Sequence, residues 1–203
     1  MNIRKLICLV AATAALALSA TSSQATPTNF VSSGDSFQYS TLTTDLWNHW
    51  ATASLADFSL NNGTWNNGTT KFTNQGGGTY WAANTDLALQ KTFNFSGIVN
   101  GALNLHVASD NGFLIFLNGQ LLAKENAEGY TSYWEYNFAL NSSPLLQGLN
   151  TLQVLAEDHG GATFFDMKMD ADVTAVPEPS LLALFGLGLL GMLLAFRNKR
   201  HSV

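Results

Sequence analysis

Carboxylates are the residues of this chain that could most readily do hydrolytic chemistry. Glycoside hydrolysis requires two carboxyl groups that face each other across a cleft, and five acidic residues are available: Glu125, Glu128, Glu135, Glu157 and Asp158. Glu135 lies on the polar side of an alternating segment, and Glu125 and Glu128 lie in a polar stretch. We expect these three to be solvated surface carboxylates. The chain has neither a G-x-S-x-G sequence nor another pattern typical of nucleophilic catalysis. We therefore predict that it is not an enzyme.

Metal binding has weak support in the sequence. The histidines His49, His106 and His159 lie in unrelated settings without the H-E-x-x-H spacing of zinc sites, and we expect His106 and His159 to be surface or turn residues. Calcium suits the many oxygen ligands better, but no D-x-D-x-D-G loop occurs, and Asp110 is expected to bond within its own turn. A structural calcium ion remains possible, and no other cofactor is predicted.

Aromatic side chains on loops are the remaining candidates for ligand binding, because sugar rings have apolar faces that stack on them. Trp65 and Trp81 lie in or beside Gly- and Asn-rich segments, and Tyr130 precedes a predicted strand. Exposed aromatic residues in such places indicate binding surfaces. The other three tryptophans are expected in the core: Trp47, Trp50 and Trp134.

The N-terminus has the three parts of a secretory signal peptide. Arg4 and Lys5 are charged, residues 6–20 are apolar, and Ser23-Gln24-Ala25 resembles a cleavage site. We predict a signal peptide over residues 1–25 with cleavage after Ala25. A lipoprotein is the alternative, but the only cysteine, Cys8, begins the apolar region rather than following it. Cleavage would remove Cys8, so the mature protein would have neither a disulfide nor a thiol.

Residues 26–175 have the length of one domain and a strongly acidic composition. They contain four Lys, no Arg and thirteen Asp or Glu residues, which gives a formal charge of −9. Such a surface repels phosphate backbones, so a nucleic-acid partner is excluded. Neutral polysaccharides, cations and other proteins remain possible partners.

Apolar residues in this domain alternate at period two, which indicates strands rather than helices. Asp110-Asn-Gly112 and Asn118-Gly119 separate three apolar runs between residues 103 and 123, and we predict a β-meander there. Residues 113–117 are continuously apolar, as in a central strand covered on both faces. The runs recur every ten to fifteen residues, so we predict an all-β, antiparallel β-sandwich. Residues 61–78 are expected to form a long irregular loop.

The C-terminal segment, residues 176–203, combines three features. Two prolines flank Glu178, an uncharged apolar run follows over residues 181–196, and a basic tail ends the chain over residues 197–203. A helix over about residues 180–196 would span roughly 24 Å, slightly less than the ~30 Å hydrocarbon core of a bilayer. The basic tail favours the cytoplasmic side, which leaves the domain before it on the outer side.

This segment resembles the PEP-CTERM sorting signal of Gram-negative bacteria. The matching residues are Pro177, Glu178, Pro179, Arg197, Lys199 and Arg200, and Asn198 interrupts the basic cluster. The resemblance implies processing by exosortase, an inner-membrane enzyme, after a transient membrane-anchored stage. It also implies delivery to the cell surface or extracellular matrix. A plain C-terminal anchor is the alternative.

Residues 87–172 show a second resemblance, to galactose-binding-like jelly-roll domains. The matching elements are the Asp110-Asn-Gly112 turn, Asn118-Gly119, the Gly148-x-Asn-x-Leu-x-Val154 strand and the aromatic pair Phe164-Phe165. This resemblance implies a jelly-roll-like sandwich, and its motifs transfer no binding residue. Three functions follow as hypotheses: a carbohydrate-binding or adhesion module for extracellular polysaccharide, a self-associating structural protein of the matrix or biofilm, and a glycan-active enzyme.

Overall fold

Two β-sheets packed face to face form the domain in a computed structural model of the chain, which confirms the predicted all-β sandwich. The structure describes residues 24–126, 129, 132–140, 144–176, 186, 188–189 and 191–192. The twelve strands are β1 (Thr26–Val31), β2 (Ser36–Thr41), β3 (Asn66–Thr69), β4 (Phe72–Thr73), β5 (Thr79–Tyr80), β6 (Leu87–Phe95), β7 (Ile98–Asp110), β8 (Phe113–Leu117), β9 (Gln120–Glu125), β10 (Tyr136–Leu140), β11 (Gly148–Ala156) and β12 (Phe164–Thr174). Two short 3-10 helices, Trp47–Thr52 and Leu55–Asp57, connect β2 to β3.

The strand order is that of a jelly roll. One sheet has the order β10-β7-β12-β4-β5, with β1 also paired to β12, and the other has the order β3-β2-β6-β11-β8-β9. Every pair is antiparallel except β4 with β5. From β6 onward most consecutive strands lie in opposite sheets, as in jelly rolls. Strands that are distant in sequence, such as β6 and β11, therefore become neighbours.

The predicted β-meander is wrong in its first half. Strand β8 pairs with β9 through the Asn118-Gly119 turn, as predicted, and Asn118 and Gly119 have φ values of 52° and 80°. Strand β7, however, pairs with β10 and β12 in the opposite sheet. The Asp110-Asn-Gly112 segment therefore connects the two sheets. Gly112 is required there by close packing, because an added Cβ would lie 2.7 Å from Cη2 of Trp50.

The main core lies between the two sheets and follows the period-two pattern of the sequence. Phe165, Met167 and Met169 of β12 and Leu103 and Leu105 of β7 are fully buried in it. Because adjacent residues of a strand point to opposite faces, the polar residues between them lie on the outside of this sheet. The predicted inward faces of these two strands are thereby confirmed.

A second apolar cluster covers the outer face of the other sheet. Leu114 and Phe116 of β8 pack there with Leu46, next to the 3-10 helices. All five residues of β8 are buried, which confirms the prediction of a strand covered on both faces. The Lys124 Nζ donates hydrogen bonds to the carbonyl oxygens of Trp50 and Ala53, at 2.6 and 3.1 Å, and joins the first 3-10 helix to β9.

The segment over residues 61–78 is more regular than predicted. It contains β3 and β4, and β5 begins directly after it. Gly68 and Gly78 allow strands to approach closely, because a Cβ on Gly78 would lie 1.8 Å from the carbonyl oxygen of Lys71. Composition suggested a loop because Asn and Gly are rare in strands, whereas here their small size permits the packing.

The folded unit extends over Ala25–Thr174. Its first and last strands are adjacent, since Thr26 of β1 pairs with Val173 of β12. Met1–Gln24 and Ala175–Val203 belong to a second unit, of which few residues are described. The sorting-signal residues, the basic tail, and the signal peptide except Gln24 and Ala25 lie outside the described part. Within that part, no helix has the length and hydrophobicity needed to cross a membrane.

Candidate functional site

A polar cleft of about 300 Å³ opens at one end of the sheet that contains β2, β6 and β11. Three segments meet there because β2 ends, β6 begins and β11 ends at the same level, where Leu87 pairs with both Thr41 and Ala156. The cleft is lined by residues of these three segments: Thr41, Leu42, Thr43, Thr44, Asp45, Trp47, Asn61, Asn84, Thr85, Asp86, Asp158 and His159. The side chains offer hydroxyl, amide and carboxyl groups around one aromatic residue, which suits a polyhydroxylated ligand.

Trp47 supplies the aromatic surface of the cleft. Its indole stacks on the imidazole of His159, with ring centroids 3.9 Å apart and an interplanar angle of 27°. The side chain is nevertheless 42% exposed. One side of the indole is thus supported by protein while a large part of the side chain faces solvent. An immobilised, exposed aromatic ring beside polar groups can stack on the apolar face of a ligand while the polar groups fix its orientation.

Asp86 holds two segments of the cleft together through hydrogen bonds to their backbone. Its carboxylate accepts hydrogen bonds from the buried backbone N–H groups of Leu46, at 2.7 Å, and Asp158, at 2.9 Å. It therefore ties the Trp47-bearing segment to the end of β11. Burial raises the pKa of Asp86 to about 6, and the negative charges of Glu157 and Asp45 add to this rise, while the two N–H groups oppose it.

Asp158 is the carboxylate with unused hydrogen-bonding capacity. Its side chain lines the cleft and is only 4% exposed. Oδ2 accepts from the N–H of Asn84 at 2.5 Å, whereas Oδ1 is buried and has no hydrogen-bond partner among the described residues. The N–H of Gly160 lies close enough to affect the charge of the carboxyl group but does not have the geometry of a hydrogen bond to it. Burial raises the pKa of Asp158 to about 6, with smaller contributions from the charges of Asp110 and Glu157; the N–H groups of Asn84 and Gly160 oppose the rise.

Glu157 supports the histidine that stacks on Trp47. Its side chain is fully buried; Oε1 pairs with Nδ1 of His159 at 2.7 Å, and Oε2 accepts from the N–H of Gly112 at 3.2 Å. The N–H of His159 donates to Oδ1 of Asn111. The turn between β7 and β8 therefore positions the imidazole. Glu157 has both of its carboxylate oxygens engaged and acts as a positioning residue.

The prediction that Trp81 lies on an exposed loop and binds ligand is wrong. Trp81 is 1% exposed and belongs to the main core. Its Nε1–H donates to the carbonyl oxygen of Thr85 at 2.5 Å, and its own carbonyl oxygen accepts from Oγ1 of Thr163. The preceding Gly76-Gly-Gly78 segment suggested a flexible surface, but the chain returns to the core directly after β5.

The other tryptophan predictions also change. Trp65 is half-buried against the outer cluster, with its ring 5.7 Å from that of Phe58, so it offers less surface than predicted. Trp47, predicted in the core, is exposed in the cleft. Trp50 and Trp134 are half-buried, and each lies under a lysine Nζ, at 5.1 and 5.3 Å. Tyr130 lies outside the described residues.

Glu125 and Glu135 do not line the cleft. Glu125 ends β9, Glu135 precedes β10, and both are half-buried rather than solvated; Glu128 lies outside the described part. His106 pairs with Asn137 and Asp170 on the polar face of β7. No group of three or more His, Cys, Asp or Glu side chains among the described residues is arranged to hold a metal ion. The structural calcium ion stays a prediction.

Sequence reasoning missed the cleft because its parts are distant in the chain. The signal that could have shown it is the position of polar residues at the ends of buried strands: Asn84-Thr-Asp86 precedes β6, and Glu157-Asp-His159 follows β11. Those two segments come together only because β6 and β11 pair in an antiparallel manner. The order of the strands, which determines that pairing, was not predicted.

Residues 175–200 match the family described as the PEP-CTERM protein-sorting motif. This confirms the resemblance found in the C-terminal segment. The motif supports export and sorting by exosortase, and it implies transient membrane anchoring.

The folded domain resembles parts of several solved glycosidases. A β-glucuronidase from Ruminococcus gnavus is 7% identical, with a TM-score of 0.47 over 75% of this chain and 30% of that chain. A β-glucuronidase from an uncultured Clostridium sp. is 6% identical, with a TM-score of 0.48 over 76% of this chain and 30% of that chain. The chain thus spans less than a third of the length of either enzyme. No curated protein matches its sequence.

Proposed function

We propose that the protein is a non-catalytic carbohydrate-binding module that is exported, processed by exosortase and retained in the extracellular polysaccharide of a Gram-negative cell. The cleft around Trp47 is the proposed binding site. The observation that carries this proposal is the exposed indole, which is braced on His159 and surrounded by polar side chains with spare hydrogen-bonding capacity.

The cleft explains binding better than it explains catalysis. Asp86 uses both carboxylate oxygens to accept backbone N–H groups, and Glu157 uses both of its own on His159 and Gly112. Neither is available to attack or protonate a substrate while it maintains the structure. Among the carboxylates of the cleft, Asp158 alone has an oxygen without a hydrogen-bond partner in the described part, and hydrolysis needs a pair of carboxyl groups. Recognition of hydroxyl groups needs only acceptors such as this one.

Replacement of Trp47 by alanine is expected to weaken polysaccharide binding at least about fivefold. Loss of a stacked, well-supported aromatic contact costs about 1–3 kcal/mol in comparable interfaces, and 1.4 kcal/mol corresponds to a factor of ten in affinity. The full-length chain would be purified in a sugar-free non-ionic detergent. Binding would be measured by co-sedimentation with polysaccharide from the producing strain and by a glycan array.

Tyr80→Ala is the matched control, because Tyr80 is an exposed aromatic residue on β5 that does not line the cleft. Trp47→Phe should keep part of the affinity. If no glycan binds, or if Trp47→Ala binds as tightly as the unmodified chain, the carbohydrate proposal is wrong. Self-association without any dependence on sugar would instead favour the structural hypothesis.

Processing at the sorting motif is the second part of the proposal. Replacement of Pro177, Glu178 and Pro179 by alanine is expected to reduce release of the domain from membranes at least tenfold, because exosortase would no longer find the extended segment that prolines impose. Cell fractionation and mass spectrometry of the mature C-terminus would measure this. A mature protein that still carries Arg197–Val203 would contradict processing, and an Asn198→Ala variant should behave like the natural chain.

A further inference from the structure

We infer that the cleft selects amino sugars that carry a free, protonated amine over neutral or acidic sugars. This inference rests on the proposed binding function and names the class of ligand. The inference follows from three observations. The lining is acidic, Oδ1 of Asp158 has no hydrogen-bond partner among the described residues, and the exposed Trp47 lines the same cleft.

The lining of the cleft is acidic. Three aspartates line it, Asp45, Asp86 and Asp158, and Glu157 lies directly behind His159. None of the described lining residues is Lys or Arg. A carboxylated sugar brought into this field would be repelled, whereas an ammonium group would be attracted. Residues 26–175 carry a net charge of −9, which attracts cationic ligands and repels anionic ones at longer distances as well.

The carboxyl group of Asp158, which lines the cleft, would accept from the amine; its Oδ1 is the oxygen with free capacity. It is buried and has no hydrogen-bond partner among the described residues, although its neighbour Oδ2 is engaged by Asn84. An unsatisfied buried carboxylate oxygen is costly, and a donor that carries a positive charge compensates this cost better than a neutral hydroxyl group does. The side chain lines the cleft.

Trp47 adds a second reason for a cationic ligand. Indole faces attract ammonium groups when these lie within about 6 Å of the ring centroid. The exposed part of Trp47 and the carboxyl group of Asp158 line the same cleft. A sugar ring stacked on the indole could therefore place an amine between an aromatic surface and a carboxylate. Neutral sugars would use only the stacking and the hydroxyl contacts.

The test compares two ligands with the same backbone, a β-1,4-linked glucosamine hexamer and its fully N-acetylated form, with an oligogalacturonate as the acidic arm. The measurement is made at about pH 6.5, where a sugar amine is partly protonated and the carboxyl group of Asp158, with a pKa of about 6, is mostly ionised. Calorimetry with the full-length chain in a sugar-free non-ionic detergent and EDTA is expected to show about tenfold tighter binding of the glucosamine hexamer, and no binding of the oligogalacturonate. The preference should fall severalfold in high salt.

Asp158→Asn should remove the preference, so that the two hexamers bind with equal affinity. Asp45→Asn, at the exposed rim, provides a second variant should Asp158→Asn fold poorly, and it should reduce the preference partially. Equal affinity for the two hexamers would overturn this inference and leave the proposed function in place. Absence of binding to every sugar would overturn both, and binding that requires added calcium would overturn the amine as the recognised group.

Discussion

Replacement of Trp81 by alanine is expected to lower the free energy of unfolding by about 3–5 kcal/mol, the range for truncating a buried large aromatic residue. Trp81 is fully packed in the main core, and its indole N–H bonds to Thr85 while its carbonyl oxygen bonds to Thr163. The truncation would leave a large cavity and an acceptor without its donor. Urea unfolding of the full-length chain in non-ionic detergent, followed by far-UV circular dichroism, would measure the loss.

Two further variants make this result specific. Trp81→Phe keeps most of the volume but removes the bond to Thr85, so it should cost about 1–2 kcal/mol and should fold even if the alanine variant does not. Trp47→Ala should cost about 1 kcal/mol or less, because 42% of the residue is exposed and it lies outside both apolar clusters. Equal losses for Trp81→Ala and Trp47→Ala would contradict the burial of one and the exposure of the other.

The contrast between these two tryptophans shows how much of the fold the sequence could predict. Period-two alternation correctly predicted β6, β10 and β12 and the inward faces of the strands, because burial of one face is a local property of the chain. Asn118-Gly119 correctly predicted a hairpin, since its positive φ values are also local. Fold class therefore followed from patterns within about ten residues.

Properties that depend on which strands become neighbours could not be predicted in this way. Asp110-Asn-Gly112 has the composition of a hairpin turn, but it connects opposite sheets, and its glycine serves the packing of Trp50. Trp47 is predicted in the core but is exposed in the cleft, and Trp81 follows a glycine run that suggested a surface but is buried. Their environments are reversed because exposure depends on the tertiary placement of the 3-10 helices and of β5.

The candidate site depends on tertiary placement even more strongly. Asp86 and Asp158 are separated by 72 residues, yet the carboxylate of one accepts from the N–H of the other. As residue types, they appeared to be ordinary surface carboxylates in turns. Their burial becomes visible only when β6 and β11 are paired. A pair of buried acidic residues in a cleft with raised pKa values is a frequent sign of a functional site, and it also predicts how stability depends on pH.

Acidification from pH ~7 to ~5 is expected to increase the free energy of unfolding through Asp86 and Asp158, by about 2–3 kcal/mol in total. Burial raises both pKa values from 3.8 to about 6, so the folded state binds more protons than the unfolded state between these values. Stability from these groups is therefore greatest below pH ~4 and is lost as the pH rises through ~6. Urea unfolding at several pH values would measure the slope.

Asp158→Asn should remove about 1–1.5 kcal/mol of this change between pH ~7 and ~5, because the amide oxygen can still accept from Asn84 while the titrating group is gone. Asp172 lies on the exposed side of β12. In Asp172→Asn the free energy of unfolding should therefore depend on pH as strongly as in the unmodified chain. The groups that face Asp158 and Asp86 are Glu157, Asp110, Asp45 and His159, and their charges remain in both variants. An Asp158→Asn slope that matches that of Asp172→Asn would refute the origin assigned to the pH dependence. In the unmodified chain, a bound amine should reduce the pH dependence of the free energy of unfolding. A positive charge beside Asp158 favours the ionised form of its carboxyl group.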